Sequence, residues 1–161
     1  MRIAVVSAKG QLGAAVVRHA RQSHEVVPFE RATLDVTDTD AVLAALTRVQ
    51  PDAIINCSGY NFVDAAETHP VDAMQVNGFA VRAMARAANL VGARLVHYST
   101  DFVFDGAADA PYRETDRPNP QSVYAASKLI GEWFALEAPR SYALRVERDR
   151  KSTRLNSSHR T

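Results

Sequence analysis

Five short runs of apolar residues alternate along the chain with four amphipathic segments of helical period. This alternation restricts the fold more than any other feature. The apolar runs are rich in β-branched residues and predict strands buried on both faces of a parallel sheet. The predicted strands are residues 1–6, 25–29, 53–59, 94–100 and 141–146, and the predicted helices are residues 11–22, 39–50, 70–91 and 122–137. The alternation of strand and helix predicts an α/β fold, a doubly wound parallel sheet with helices on both faces.

The composition is that of one ordinary globular domain. Of the 161 residues 47% are hydrophobic and 23% are charged, and the formal net charge is +1. Charge therefore gives no reason to expect nucleic acid or an anionic membrane as a partner. Cys57 is the only cysteine, which excludes an internal disulfide and indicates a reducing, cytoplasmic compartment. We expect Cys57 to be a small strand residue and not a nucleophile, because no partner histidine is evident.

The loop after the first strand predicts a dinucleotide site. It runs from Ser7 to Gly13 with the sequence SAKGQLG. Glycines in such a strand-to-helix turn let a pyrophosphate approach the backbone at a helix N-terminus. Only Gly10 and Gly13 of a G-x-x-G-x-x-G pattern are present, and the alternative is a tight turn that serves helix packing. The position at the start of a β-α-β unit favours the nucleotide.

Charged residues after the second strand bear on the choice of dinucleotide. A carboxylate at this position typically binds the adenosine ribose, whereas an arginine accepts a 2′-phosphate. Glu30 and Arg31 are adjacent, so NAD and NADP both stay open. Asp35 is a candidate for the adenine end of the pocket, with a plain helix cap as the alternative.

The stretch HYSTDFVFDG, residues 97–106, contains the next candidates. The Thr100 hydroxyl and the Asp101 carboxylate follow the carboxyl end of a parallel strand, where open α/β sheets bind ligands. The alternative is that Ser99 and Thr100 only cap a turn. We expect His97 to be a structural residue with its hydrogen bonds satisfied, and residues 101–121 to form a loop interrupted by prolines.

Tyr124 and Lys128 lie four residues apart in the last predicted helix and therefore on one face of it. An ammonium beside a phenol favours the phenolate and lowers the phenol pKa. That change suits a proton donor near neutral pH, because an unperturbed tyrosine pKa of about 10 matches the task poorly. The lysine can also hold ribose hydroxyls. The alternative is that Tyr124 and Lys128 are merely two exposed side chains on a helix surface. The glycine-containing loop after the first strand and the presence of Thr100 make this alternative less favoured.

Together these segments resemble the dTDP-4-dehydrorhamnose reductases, a family of extended short-chain dehydrogenase/reductases. The resemblance is carried by KGQLG, LDVTD, VDAAE, HYSTDFVFDG and VYAASKLIGE and covers residues 1–147. It implies a Rossmann-like fold, incomplete at the C-terminus, and reduction of the 4-keto group of a dTDP-linked deoxyhexose with NADPH or NADH. Two alternatives stay open: a non-catalytic NADP-binding regulatory subunit like the methionine adenosyltransferase β subunit, and a nucleotide-sugar epimerase.

The resemblance also implies roles for individual residues. Tyr124 would donate the proton, Lys128 would lower the Tyr124 pKa and bind ribose, and Thr100 would orient the sugar carbonyl beside Asp101. The residues expected at the cofactor are Gly10, Gln11 and Leu12 at the pyrophosphate, Arg31 at a 2′-phosphate, Asp35 and Val36 at the adenine, and Ser58, Gly59, Tyr60 and Tyr98 toward the nicotinamide. The partner is a nucleotide sugar, no metal is expected, and a homodimer stays open. Two features depart from the family pattern: Ser7 replaces a glycine, and residues 56–62 replace an alanine-rich run.

The end of the chain does not continue the strand pattern. The string DRKSTRLNSSH, from Asp149 to His159, has no apolar period and resembles a translated sequencing adapter. We expect residues 148–161 to be a non-native, disordered tail whose deletion leaves stability nearly unchanged. Residues 1–147 would then be the NAD(P)-binding domain of a longer native protein, inactive alone because the rest of the substrate site is missing.

Overall fold

The computed structural model describes residues 1–147 and contains one five-stranded sheet. Its strands are β1 (Arg2–Val6), β2 (Glu25–Phe29), β3 (Ala53–Asn56), β4 (Arg94–Thr100) and β5 (Ser141–Val146). All neighbouring strands are parallel, in the order β2-β1-β3-β4-β5. The predicted α/β fold is thus confirmed. The expectations for residues 148–161 lie outside the described residues.

The strand order changes direction at β1. The chain goes from β1 outward to β2 and then returns to the other side of β1 as β3. The connections that leave β1 and β3 therefore diverge and open a crevice at the carboxyl ends of these two strands. Open α/β sheets bind their ligands at such a switch point. The Ser7–Gly13 loop follows β1 and the Ser58–Tyr60 segment follows β3, so the topology brings both predicted cofactor segments to this crevice.

The helices connect these strands. They are α1 (Gln11–Ala20), α2 (Thr39–Val49), α3 (Val63–Thr68), α4 (Pro70–Met74), α5 (Ala80–Val91) and α6 (Val123–Leu136). A π-turn (Gln75–Phe79) joins α4 to α5, and a 3₁₀ turn (Asp101–Val103) begins the long loop before α6. None of the helices in residues 1–147 is long and apolar enough to span a bilayer.

Local capping explains where the helices begin. The Asp38 carboxylate accepts a hydrogen bond from the Ala41 N–H (2.9 Å) at the start of α2, and Ser122 Oγ accepts one from Ala125 (3.1 Å) at the start of α6. Both are side chains that prefer the N-cap position. Pro70 occupies the first turn of α4, as predicted, because its missing N–H has no helical partner there in any case.

Several elements differ from the sequence-based prediction, and the predicted helix 70–91 is divided into α4, a π-turn and α5. Strand β3 ends at Asn56 and not at residue 59, because the Asn56 side chain accepts a hydrogen bond from the Ser58 N–H (2.9 Å) and turns the chain. Helix α1 ends at Ala20, since the chain needs a turn before β2 begins at Glu25. Helix α3 was not predicted, because its six residues are too few to show a helical period.

Both faces of the central strands are buried. On β1, Ala4 and Val6 face a cluster formed with α2 and α5, whereas Ile3 and Val5 face a second cluster beneath α1. This alternation explains why the strand is a continuous apolar run and not an alternating one. The core thus fixes the carboxyl ends of the strands that carry the candidate site.

Candidate active site

The turn after β1 is built on a serine in an unusual backbone conformation. Ser7 has a φ of 63°, in the left-handed region that favours glycine. Its carbonyl oxygen accepts a hydrogen bond from the Gly10 N–H (3.1 Å). A Cβ on Gly13 would collide with the same carbonyl and lie 2.9 Å from the Ala8 Cα, so only glycine allows α1 to pack this closely.

The N-terminus of α1 has the features of a phosphate cradle. Gly10 is its N-cap and offers no side chain to the unpaired N–H groups of the first turn. Gly10, Gln11 and Leu12 are exposed at the crevice side of the loop. Uncapped N–H groups beside a close-packed glycine fit the pyrophosphate of a dinucleotide.

Replacing Ser7 by glycine is expected to stabilise the protein by about 0.5–1 kcal/mol. The left-handed conformation costs a residue with a side chain roughly 1–2 kcal/mol, and the greater freedom of glycine in the unfolded chain offsets part of the gain. Urea unfolding measures the difference. The same change at Ser141, which is extended within β5, is the matched control and should lower stability. A Ser7→Gly variant less stable than the parent would contradict this account of the turn.

One ion pair and one hydrogen-bonded carboxylate lie at the predicted adenosine end. The Lys9 ammonium contacts the Glu30 carboxylate (2.6 Å), so the loop after β1 is tied to the end of β2. Asp35 accepts hydrogen bonds from the Thr37 N–H (2.9 Å) and hydroxyl (2.8 Å), which lower the pKa of its carboxyl group. These bonds form a local turn before α2, whose N-cap is Asp38 and not Asp35. Arg31 is exposed and lies close enough to Asp35 to lower that pKa further.

The predicted catalytic residues meet at the carboxyl end of β4. The Lys128 side chain is only 4% exposed, and its ammonium donates a hydrogen bond to the Tyr98 carbonyl oxygen (2.6 Å). Tyr124 is half-buried, and its ring packs edge-on against Phe102 (centroids 6.1 Å apart, planes at 86°). The Thr100 hydroxyl lies beside the Tyr124 phenol and influences its pKa. The i, i+4 spacing thus places phenol and ammonium on one face, as predicted.

Thr100 caps the turn after β4, and its ligand-binding role stays a prediction. Its hydroxyl accepts a hydrogen bond from the Phe102 N–H (3.2 Å) and so caps the 3₁₀ turn. The same hydroxyl donates to the Asp101 carboxylate (3.1 Å). The cap therefore holds the Thr100 hydroxyl and the Asp101 carboxylate in fixed positions beside Tyr124.

The Tyr124 pKa does not show the lowering expected from Lys128, and that role of Lys128 stays a prediction. The pKa of Tyr124 is raised above its usual value, chiefly by burial; the Thr100 hydroxyl lowers it and the Asp101 carboxylate raises it. The Lys128 ammonium donates to the Tyr98 carbonyl and is not among the groups that set this pKa. Burial lowers the pKa of Lys128 itself to about 8, against an opposing effect of Glu132. At neutral pH the site therefore holds a protonated phenol and a charged ammonium.

Asn77 is a buried residue of the site that the sequence analysis missed. Its side-chain oxygen accepts from the Tyr60 N–H (2.8 Å), and its amide donates to the Tyr60 carbonyl (3.1 Å) and to Ser127 Oγ (2.9 Å). It thereby joins the predicted nicotinamide segment to α6, next to Lys128. The π-turn sets the direction of this side chain, and α6 approaches so closely that a Cβ on Gly131 would collide with the Asn77 carbonyl. An Asn-Gly pair inside a predicted helix is an unfavourable sequence and was the available signal.

His97 and Cys57 are structural, as expected, with one difference. Asn56 Oδ1 accepts from Ser58, so the Asn56 amide donates to His97 Nδ1 (3.1 Å) and the ring proton resides on Nε2. That Nε2 has no hydrogen-bond partner among residues 1–147, so the expectation of a fully satisfied histidine is wrong. Burial, together with Lys128, lowers the His97 pKa to about 3 and keeps the ring neutral. Burial raises the Cys57 thiol pKa to about 11, which makes a poor nucleophile.

A family model described as the RmlD substrate binding domain matches residues 1–148. The chain belongs to the RmlD family. The resemblance to the dTDP-4-dehydrorhamnose reductases is thereby confirmed. Relatives of that name include proteins from Sinorhizobium fredii (40% identical over 138 residues) and Burkholderia thailandensis (42% over 137 residues). These alignments cover 86% and 85% of this chain but 47% and 46% of the relatives, so the chain spans about half the length of the curated relatives it matches.

Solved structures of RmlD-family proteins agree with this assignment. A dTDP-4-dehydrorhamnose reductase from Clostridium acetobutylicum superposes with a TM-score of 0.89 at 34% identity, covering 98% of this chain and 59% of that one. The Bacillus anthracis reductase, solved in complex with NADP, superposes with a TM-score of 0.87 at 31% identity, covering 99% and 61%. The fold and the family are thus established together. Residues 1–147 contain no cluster of three or more His, Cys, Asp or Glu side chains that could hold a metal ion.

Proposed function

We propose that this chain is the NAD(P)H-binding part of a reductase that acts on the 4-keto group of a dTDP-linked deoxysugar, as in the conversion of dTDP-4-dehydrorhamnose to dTDP-rhamnose. The observation that carries the proposal is the grouping of Thr100, Tyr124 and the buried Lys128 at the carboxyl end of β4. The family assignment and the NADP in the Bacillus anthracis neighbour support it. A keto-sugar held there would face a proton donor and a cation at the switch point of the sheet.

The cradle after β1 fits a dinucleotide. The first turn of α1 would bind the pyrophosphate, since its N–H groups have no side-chain cap. Arg31 and Lys9 would face a 2′-phosphate, Asp35 and Val36 would lie near the adenine, and Lys128 would hold the nicotinamide ribose. Ser58, Gly59, Tyr60 and Tyr98 would line the path from this cradle to the nicotinamide. When bound, a reduced nicotinamide cofactor supplies the hydride.

The protein groups would handle the proton. The Tyr124 phenol is protonated at neutral pH, because burial raises its pKa, and it would give its proton to the sugar O4 as the alkoxide develops. Thr100 would orient that oxygen through its hydroxyl. The charged Lys128 would stabilise the phenolate that remains, since it lies on the same helical face as Tyr124.

NADPH affinity is expected to fall several-fold as pH rises through about 8. The folded-state pKa of Lys128 is lowered to about 8, so the ammonium is present below that pH and is lost above it. The loss removes a charged donor from the ribose and pyrophosphate region. Fluorescence titration between pH 6.5 and 9 measures the effect. Lys128→Met should bind weakly at every pH and show no such step; a step that persists in this variant would contradict the assignment.

Replacing Arg31 by alanine is expected to weaken NADPH binding by about 1.5–3 kcal/mol more than NADH binding. The difference arises because one charge-assisted contact to the 2′-phosphate is lost, and NADH lacks that phosphate. Titration of both cofactors measures it. Arg48→Ala, an exposed change in the last turn of α2, is the control and should affect neither cofactor. Equal losses for NADPH and NADH at Arg31 would rule out a 2′-phosphate contact.

The proposed reaction is tested by NADPH oxidation with dTDP-4-dehydrorhamnose. The assay compares this chain with a form extended to the length of its relatives. We expect turnover from the extended form and little from this chain, because positioning of the sugar accounts for several kcal/mol of the barrier. An extended form that binds NADPH but shows no turnover would favour the regulatory-subunit alternative. Inversion of a sugar stereocentre without net oxidation of NADPH would favour the epimerase.

A further inference from the structure

Glu132 is a buried carboxylate that the proposed chemistry does not use. It follows Lys128 by four residues on α6, as Lys128 follows Tyr124, so the three side chains share one helical face. Its side chain is only 4% exposed. We propose that Glu132 is a positioning residue whose buried carboxylate, one helical turn from Lys128, stabilises the Lys128 ammonium at the proposed cofactor site. This inference rests on the proposed function for the role of Lys128, but not for the interaction itself.

The Glu132 carboxylate is held rigidly by Arg145 on β5. The guanidinium donates from Nε to Oε1 and from Nη2 to Oε2, both at 2.9 Å. Its outer face covers the Phe104 ring, with the guanidinium carbon 4.9 Å from the ring centroid. Phe104 in turn stacks on Tyr112 (centroids 4.2 Å apart). The carboxylate is therefore oriented by two charge-assisted hydrogen bonds and cannot turn outward to solvent.

The buried carboxylate is thus paired with Arg145 and lies one helical turn from a second cation, Lys128. Lys128 has lost most of its hydration, which favours its neutral form, and the Glu132 charge opposes that effect. The other groups around Lys128 are the Tyr98 carbonyl and the neutral His97 on β4, Tyr124 on its own helix, and Asp101 beyond Tyr124. If the Glu132–Arg145 ion pair served only to connect α6 to β5, two apolar residues in its place could do the same. They would avoid the free-energy cost of removing two charges from water.

The sequence makes a direct test practical. It contains three lysines, Lys9, Lys128 and Lys151, so ¹³C-labelled lysine gives three side-chain signals that single substitutions assign. The experiment follows the Lys128 Cε signal from pH 6 to 11 in this chain and in Glu132→Gln. We expect about a tenfold rise in the ratio of neutral to charged Lys128 at a given pH, as the loss of a nearby charge predicts. Glu137→Gln, an exposed carboxylate at the end of the same helix, is the control and should leave the titration unchanged.

A second variant covers the case in which Glu132→Gln does not fold. Arg145→Met removes the competing cation, so Glu132 should act on Lys128 more strongly and shift its titration to higher pH. A purely structural ion pair would leave the Lys128 titration unmoved in both variants, and that result would overturn the inference. NADPH titration separates this result from the proposed function: in Glu132→Gln the loss of affinity should begin at lower pH. If the Lys128 titration shifts in Glu132→Gln but the chain binds no NADPH, the proposed function is wrong. The interaction between Glu132 and Lys128 is then still supported.

Discussion

Under the proposed function, replacing Tyr124 by phenylalanine is expected to lower the turnover of the form extended to the length of its relatives by about 10²–10⁴-fold and to leave NADPH affinity almost unchanged. The phenol proton is needed only as the alkoxide develops, so its loss acts on the transition state and not on cofactor binding. The remaining ring can still pack against Phe102, and the fold should therefore be preserved. The measurements are kcat with dTDP-4-dehydrorhamnose and the dissociation constant of NADPH.

The control for this prediction is Tyr142→Phe, the same change at an exposed tyrosine on β5. It should alter neither kcat nor NADPH affinity. Lys128→Met should differ from Tyr124→Phe by lowering both quantities, since the ammonium is assigned to the cofactor as well as to the phenol. Turnover within about twofold of the parent in Tyr124→Phe would remove the phenol from the mechanism, because general acid catalysis contributes far more than that.

Replacing Gly13 by alanine is expected to destabilise the protein by about 3 kcal/mol and to abolish dinucleotide binding. The added methyl group would collide with the Ser7 carbonyl and press on the Ala8 Cα at 2.9 Å. Both neighbours are backbone atoms, which cannot give way by changing a rotamer. Either α1 moves away from the sheet or the loop opens, and in both cases the cradle for the pyrophosphate is lost.

Gly10→Ala is the matched control in the same loop. A Cβ at Gly10 would lie 3.4 Å from the Ser7 carbonyl, an ordinary contact, and the residue has a φ of −65° that any amino acid adopts. Urea unfolding should therefore show a loss for Gly10→Ala well below that for Gly13→Ala. If both variants have the same free energy of unfolding as the parent, the close approach of α1 to the loop does not require glycine at position 13.

The bounds of β2, β4 and β5 agree with the sequence pattern, since each is a short apolar run between clear breaks. The position of Tyr124 and Lys128 on one helical face was predictable for a similar reason, because a single helix fixes their spacing. These are local properties of the chain. They require no knowledge of which distant segments come together.

The interactions that depend on distant segments were not predictable. The direction of the Lys128 ammonium is set by the Tyr98 carbonyl, 30 residues away, and the Tyr124 pKa is set by burial. Lys9 could not be paired with Glu30, nor Glu132 with Arg145, without the order of the strands. The pattern also gave no warning that a π-turn would interrupt the long helix at Asn77.

The hydrogen bond from Lys128 to the Tyr98 carbonyl has a consequence for how a ligand is received. A lysine side chain that becomes ordered gives up as much as ~2 kcal/mol of rotamer entropy. Lys128 incurs that loss when the chain folds, because its ammonium is already buried and bonded. Binding of a dinucleotide at the crevice therefore does not have to include the entropic cost of ordering this lysine side chain.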